Sequence, residues 1–114
     1  DLTLSGVYSN SQISQIFKSY AFAGLDITNV DLPNCITVGS YAFQSCSLLT
    51  SVNLPNCAQV GSYAFYYCRS LTSINLPQCS YIQRYAFTSC TSLTSINLQN
   101  CDTIGSNAFQ SCTS

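Results

Sequence analysis

Polar and apolar residues alternate in short stretches such as Ser51-Val52-Asn53-Leu54 and Ser73-Ile74-Asn75-Leu76. A period of two marks a strand with one buried face. These stretches lie 22 residues apart, and other apolar positions keep the same step: Leu54, Leu76 and Leu98; Ala42, Ala64, Ala86 and Ala108; Phe43, Phe65, Phe87 and Phe109. Cysteines recur twice as often, at Cys35, Cys46, Cys57, Cys68, Cys79, Cys90, Cys101 and Cys112, each 11 residues from the next. The residues that follow alternate cysteines differ, Ala-Gln-Val after Cys57 but Arg-Ser-Leu after Cys68, so the true unit is 22 residues long. A fixed period of this size predicts coils that stack into a solenoid. A period of 11 could also wind a right-handed helical supercoil. Pro33, Pro55 and Pro77 recur inside the unit and exclude it, since a helix interior does not tolerate proline.

Within one coil, Val52 and Leu54 point inward from a strand that Pro55 ends. Cys57 turns inward, Val60, Ala64 and Phe65 line the far side, Cys68 closes the loop and Leu71 leads into the next coil. Phe22, Phe43, Phe65, Phe87 and Phe109 are expected to stack as a ladder, each burying roughly 150–250 Å². The segment Ser-Tyr-Ala-Phe-x-x-Cys spaces its apolar residues in a helix-like way, which predicts a short helical or 3₁₀ turn on the convex side. Residues 1–19 break the pattern. There Leu2-Thr3-Leu4 reads as a strand, and Ile13, Ile16 and Phe17 suit one short amphipathic helix within Ser5 to Lys18. Residues 20–114 form the solenoid, about four to five coils, and the first, from Tyr20-Ala21-Phe22, is atypical and lacks a cysteine.

Written out, Leu49-Thr-Ser-Val52-Asn-Leu54-Pro-Asn-Cys57-Ala-Gln-Val60 is L-x-x-L-x-L-x-x-C-x-L, and Leu71, Ile74, Leu76, Cys79 and Ile82 repeat it. So do Ile27, Val30, Leu32, Cys35 and Val38, and Leu93, Ile96, Leu98, Cys101 and Ile104. This is the leucine-rich-repeat pattern. The remainder, Val38-Gly39-Ser40-Tyr41-Ala42-Phe43 through Cys46 and its equivalents, resembles the BspA-type leucine-rich repeats of bacterial and some protist surface proteins. Gln83 departs from Gly39, Gly61 and Gly105, so that glycine reads as a convenience more than a strict need for positive φ. The resemblance implies an α/β, right-handed solenoid with a parallel sheet on its concave face. It also implies a secreted or cell-surface protein that attaches to matrix, host or other cells.

Composition narrows the chemistry. Three Lys or Arg (Lys18, Arg69, Arg84) stand against four Asp, with no histidine. That is too little positive charge for a nucleic-acid footprint. No run reaches the roughly 18–20 apolar residues of a membrane span. Ser, Thr, Asn and Gln fill about two fifths of the chain and supply its surface polarity. The chain starts without methionine and stops inside a unit, as expected of a fragment of a longer protein. Its eight cysteines admit three readings. Buried thiols acting as small hydrophobes fit every repeat position and are favoured. Disulfides between coils suit the strand spacing, but parallel side chains fit their dihedral poorly. Metal binding lacks both a Cys-x-x-Cys motif and a histidine. Catalysis has no base, no paired carboxylates and no phosphate-cradling loop, and neither a cofactor nor a metal site is expected.

Binding is the remaining function of an extended stacked surface. The strand face repeats Asp31, Asn53, Asn75 and Asn97 almost unchanged, either as a solvated ladder or as an array for a repetitive ligand such as a glycan. The units diverge elsewhere. Tyr66-Tyr67 and Arg69 stand where other coils carry Gln44-Ser45 and Ser47, and Tyr81 and Arg84 also break pattern. Tyr66, Tyr67, Arg69, Tyr81 and Arg84 are the candidate partner-binding residues, since Tyr and Arg dominate interface hot spots. The expected function is a non-enzymatic protein- or glycan-binding module of an adhesin-like surface protein. The alternatives are a spacer with no ligand, or a solenoid that associates end to end through unpaired strand edges.

Overall fold

The computed structural model describes residues 2–5 and 22–113. The helix expected within Ser5 to Lys18 and the first residues of the atypical coil lie outside the described residues.

Strands follow wherever the sequence alternates, and they are short because proline or a turn ends each one. They are β1 (Leu2–Ser5), β2 (Ile27–Asp31), β3 (Thr37–Val38), β4 (Ser51–Asn53), β5 (Gln59–Val60), β6 (Ser73–Asn75), β7 (Tyr81–Ile82), β8 (Ser95–Asn97) and β9 (Thr103–Ile104). Every pairing is parallel, and from β2 onward each joins equivalent residues of neighbouring units: Val52 sits beside Val30 and Ile74, and Val60 beside Val38 and Ile82. The result is a parallel-strand β-solenoid with two walls. One is a five-stranded sheet in the order β1-β2-β4-β6-β8, and the other a four-stranded sheet in the order β3-β5-β7-β9.

Between the walls runs one core. Val52, Leu54, Cys57, Val60, Ala64, Phe65, Cys68 and Leu71 of a single coil are all buried. The phenylalanines stack as expected, with Phe22–Phe43, Phe43–Phe65, Phe65–Phe87 and Phe87–Phe109 centroids 5.4, 5.2, 5.1 and 5.2 Å apart and ring planes within 11°. Burial thins in the last unit, where one neighbouring coil covers the core: Ile104 is 51% exposed and Phe109 only half-buried.

The expected helical or 3₁₀ turns are not seen among the described residues. Among the described residues no helix forms, so the α/β label does not apply to them. The backbone amides explain why. Ala42, Gln44 and Cys46 donate to carbonyls three residues back, Gly39, Tyr41 and Phe43, while Tyr41, Phe43 and Ser45 donate to Ser62, Ala64 and Tyr66 of the next coil. A helix would direct every amide into its own segment. Here every second amide joins the neighbouring coil, so the segment stacks as a string of tight turns. Its third turn residues adopt positive φ, at Tyr41 (62°), Ser45 (58°), Tyr63 (59°) and Tyr67 (61°), and likewise in the next two units. That is the type II pattern, which normally takes Gly or Asn. Asn107, at φ 59°, is the only such residue among these eight.

Gly61 answers to close packing and not to φ. A Cβ there would lie 2.7 Å from the Ser40 amide nitrogen and 2.9 Å from the Val38 carbonyl oxygen, so coil-to-coil contact excludes a side chain unless the backbone yields. Gln83, in the equivalent slot, compensates: its Oε1 accepts hydrogen bonds from the amide and the hydroxyl of Ser62, at 3.2 and 3.1 Å.

Candidate binding surfaces

Two outward faces carry polar or aromatic side chains in quantity. On the larger sheet, β4, β6 and β8 send Val52, Ile74 and Ile96 inward and leave serine and asparagine outside. The asparagines hold each other in a ladder. Asn53 Nδ2 donates to Asp31 Oδ1 at 3.0 Å, Asn75 Nδ2 to Asn53 Oδ1 at 2.7 Å, and Asn97 Nδ2 to Asn75 Oδ1 at 3.3 Å. Beside it the hydroxyls of Thr50, Thr72 and Thr94 each donate to the threonine carbonyl one coil back, at 3.1–3.2 Å. A primary amide has two donors and room for two acceptances, so each asparagine keeps at least one of each for solvent or a ligand. Ser51, Asn53, Ser73, Asn75, Ser95 and Asn97 line a shallow groove of about 450 Å³ across three strands.

The opposite, turn-bearing face has a different make-up. Tyr41, Tyr63 and Tyr85 stack with centroids 4.8 and 5.0 Å apart, and Asn107 Nδ2 donates to the Tyr85 hydroxyl at 2.9 Å. Tyr66 stands edge-on to Tyr63, 5.3 Å away at 78°, and to Tyr67, 4.5 Å away at 75°. The Arg69 guanidinium sits over the Tyr67 ring, 5.0 Å from its centroid. Tyr66, Tyr67 and Arg69 thus touch in sequence and lean on the tyrosine stack. The Tyr66 hydroxyl is pushed up in pKa, first by desolvation and then by the Tyr67 hydroxyl beside it.

Tyr81 and Arg84 are placed differently. Tyr81 lies exposed in β7 beside Gln59 and Thr103, and Arg84 lies exposed in the turn before Tyr85. Among the described residues no ring contact ties either to the cluster, and the link is main-chain: Tyr63 N donates to the Arg84 carbonyl at 3.4 Å. The structure therefore brings together three of the five candidate residues and adds Tyr63. Tyr63 was hard to find because it repeats at Tyr41 and Tyr85, which made it look like framework.

The cysteines form two internal ladders of free thiols. The Sγ of Cys46, Cys68, Cys90 and Cys112 donates to the carbonyl of Phe22, Phe43, Phe65 and Phe87 in the preceding coil, at 3.1–3.2 Å. Cys57 and Cys79 donate two residues ahead, to Gln59 and Tyr81, at 3.1 and 3.5 Å. Burial pushes Cys46 and Cys79 up to about 11 and Cys90 to about 12. Cys57 is raised by its hydrogen bond with the Cys35 thiol and then by burial. Only the thiolate attacks or ligates, so these sulfurs serve packing and the backbone. No group of three or more possible metal ligands comes together among the described residues.

Known proteins agree with this architecture. A model of the BspA type leucine-rich-repeat region matches residues 15–114 in six copies. The crystal structure of a T. pallidum leucine-rich-repeat protein is similar at 32% identity and a TM-score of 0.78. The match covers 82% of this chain and 46% of that one, so the chain spans less than half the length of that protein. No curated protein matches. The repeat, the stacked coils and these likenesses lead to one conclusion: the chain belongs to the BspA type leucine-rich-repeat family.

Proposed function

We propose that this chain is a non-enzymatic protein-binding module, displayed on a cell surface or secreted, whose contact face is the Tyr66–Tyr67–Arg69 cluster. Leucine-rich-repeat solenoids generally mediate protein interaction. One observation carries the choice of face: at this point the near-identical coils give way to large side chains, and those side chains hold one another. Such amphipathic rings and a guanidinium supply contact energy at low entropic cost.

The test is capture of purified matrix and cell-surface proteins by the chain and by a Tyr66→Gln, Tyr67→Ser, Arg69→Ser variant. Those three replacements are what the preceding coil carries at Gln44, Ser45 and Ser47, so they suit the fold. Capture that the variant loses supports the assignment, and equal capture by both removes it.

A second reading places a glycan along the asparagine ladder, because the groove repeats the same Ser and Asn groups coil after coil. It expects binding to a neutral oligosaccharide panel that Asn75→Ala weakens and the tyrosine variant does not. A chain that binds neither panel is a spacer.

A further inference from the structure

We propose that the Tyr63–Tyr66–Tyr67–Arg69 cluster docks an acidic peptide segment of a protein partner, with the Arg69 guanidinium receiving a side-chain carboxylate. This rests on the reading of the cluster as the contact face, and adds the chemistry of what it contacts.

The ring geometry gives the first argument. Tyr63 has Tyr41 against one face and Tyr85 against the other. Tyr66 stands nearly perpendicular to Tyr63, and because both Tyr63 faces are taken, it meets that ring's edge. Arg69 covers a face of Tyr67. The cluster therefore offers a partner the edge of Tyr63, phenolic hydroxyls and a guanidinium. Ring edges are the positive end of the aromatic quadrupole. Hydroxyls donate, and a guanidinium has five donors and no acceptor. A sugar that stacks flat needs open ring faces, and the stacked tyrosines give theirs to one another.

Charge gives the second. Arg69 is exposed in the cluster and Arg84 in the turn before Tyr85; they are two of the three basic residues of a chain of net charge −1. Neither has an ion-pair partner among the described residues. Docked on Tyr67, the Arg69 fork has given up part of its rotamer freedom and is ready to take a carboxylate in the bidentate way that a lysine cannot. Tyrosine and arginine together are the composition of a protein hot spot.

The experiment titrates the chain with a synthetic Glu-Gly repeat peptide, its Gln-Gly counterpart and an oligouronate, read by tyrosine fluorescence, which the absence of tryptophan leaves clean. The Glu peptide is expected to bind at least tenfold more tightly than the Gln peptide, and to weaken as salt is raised. Arg69→Ser should lose about tenfold, the scale of one charge-assisted contact. Arg69→Lys should recover only part of the loss, and Asn75→Ala should change nothing. Equal binding of the Glu and Gln peptides, no binding of either, or tighter binding of the oligouronate overturns the proposal.

Its failure is separable from that of the contact-face assignment. Protein capture that is lost in Tyr66→Gln, Tyr67→Ser but indifferent to salt and to Arg69→Ser leaves the face in place and removes the acidic partner. Capture indifferent to Tyr66→Gln, Tyr67→Ser and Arg69→Ser removes both. Circular dichroism of each variant, matched to the parent, excludes misfolding as the cause.

Discussion

Replacing Phe65 by leucine should cost far more stability than the same change at Phe109, and the difference measures how the coils hold together. Phe65 is fully buried and stacks on two rings, Phe43 at 5.2 Å and Phe87 at 5.1 Å. Phe109 is half-buried and stacks on Phe87 alone, at 5.2 Å. An aromatic pair contributes about 0.5–1.5 kcal/mol beyond its area, and a volume-preserving apolar swap usually costs less than about 1.5 kcal/mol in packing. Phe65→Leu loses two pairs at a site with no solvent to relax into, which gives about 2–3 kcal/mol. Phe109→Leu loses one at a half-open site, about 1 kcal/mol. Urea unfolding followed by circular dichroism reads both. With a slope of about 1–3 kcal/mol per molar urea, the Phe65 variant should move the midpoint by about 0.7 M or more, and the Phe109 variant by about half as much or less. Equal shifts, or a larger one at Phe109, would refute the view that ring contact between neighbouring coils carries this part of the stability.

The buried thiols predict a one-sided pH response. Cys46, Cys79 and Cys90 titrate near 11, 11 and 12 in the fold, against an ordinary value of 9.0. Below pH 9 both states keep these protons and these three thiols add no pH dependence. Above it the unfolded chain ionises first, so the urea midpoint should fall from about pH 9 towards 11. The six fully buried cysteines should also resist alkylation until denaturant is added, whereas fast labelling of the native chain would contradict their placement. Gly61→Ala should destabilise by about 1–3 kcal/mol through overpacking against Ser40 and Val38. Gly61→Gln should cost less, since it can accept from Ser40 as Gln83 does from Ser62, and thermal melts of the two decide the order.

Much of this was legible in the residues. Alternation at Ser51–Leu54 and its copies located the strands, and the 22-residue step fixed which residue sits beside which, because equivalent residues stack. The turn-bearing side was misread for a physical reason. Ala42, Phe43 and Cys46 bury the same faces in a helical turn as in a string of tight turns, so apolar spacing cannot separate the two. The residue that separates them is the one with positive φ. Here tyrosine or serine fills that slot in seven of eight cases, and only Asn107 has the composition such a turn normally demands. Gly61 was legible as a repeat but not as a close approach, since Gln83 hides the need by supplying its own hydrogen bonds. In the candidate site, Tyr66, Tyr67 and Arg69 stood out because they break the repeat. Tyr63 did not, because it keeps the repeat and gains its place only through the turn that brings it against Tyr66.

If the Tyr-Tyr-x-Arg cluster is the contact face, it should work from another coil. Thr88, Ser89 and Thr91 occupy the equivalent slots one unit on, beside Tyr85, which stacks on Tyr63 and has Asn107 in the next coil. The decisive measurement is the affinity of a chain carrying Tyr66→Gln, Tyr67→Ser, Arg69→Ser together with Thr88→Tyr, Ser89→Tyr, Thr91→Arg, for a protein that the parent captures. Binding lost by the first three changes and restored by the second three is the expected result. Binding that survives the first three, or that the second three fail to restore in a correctly folded chain, would contradict the claim that these residues are the contact face.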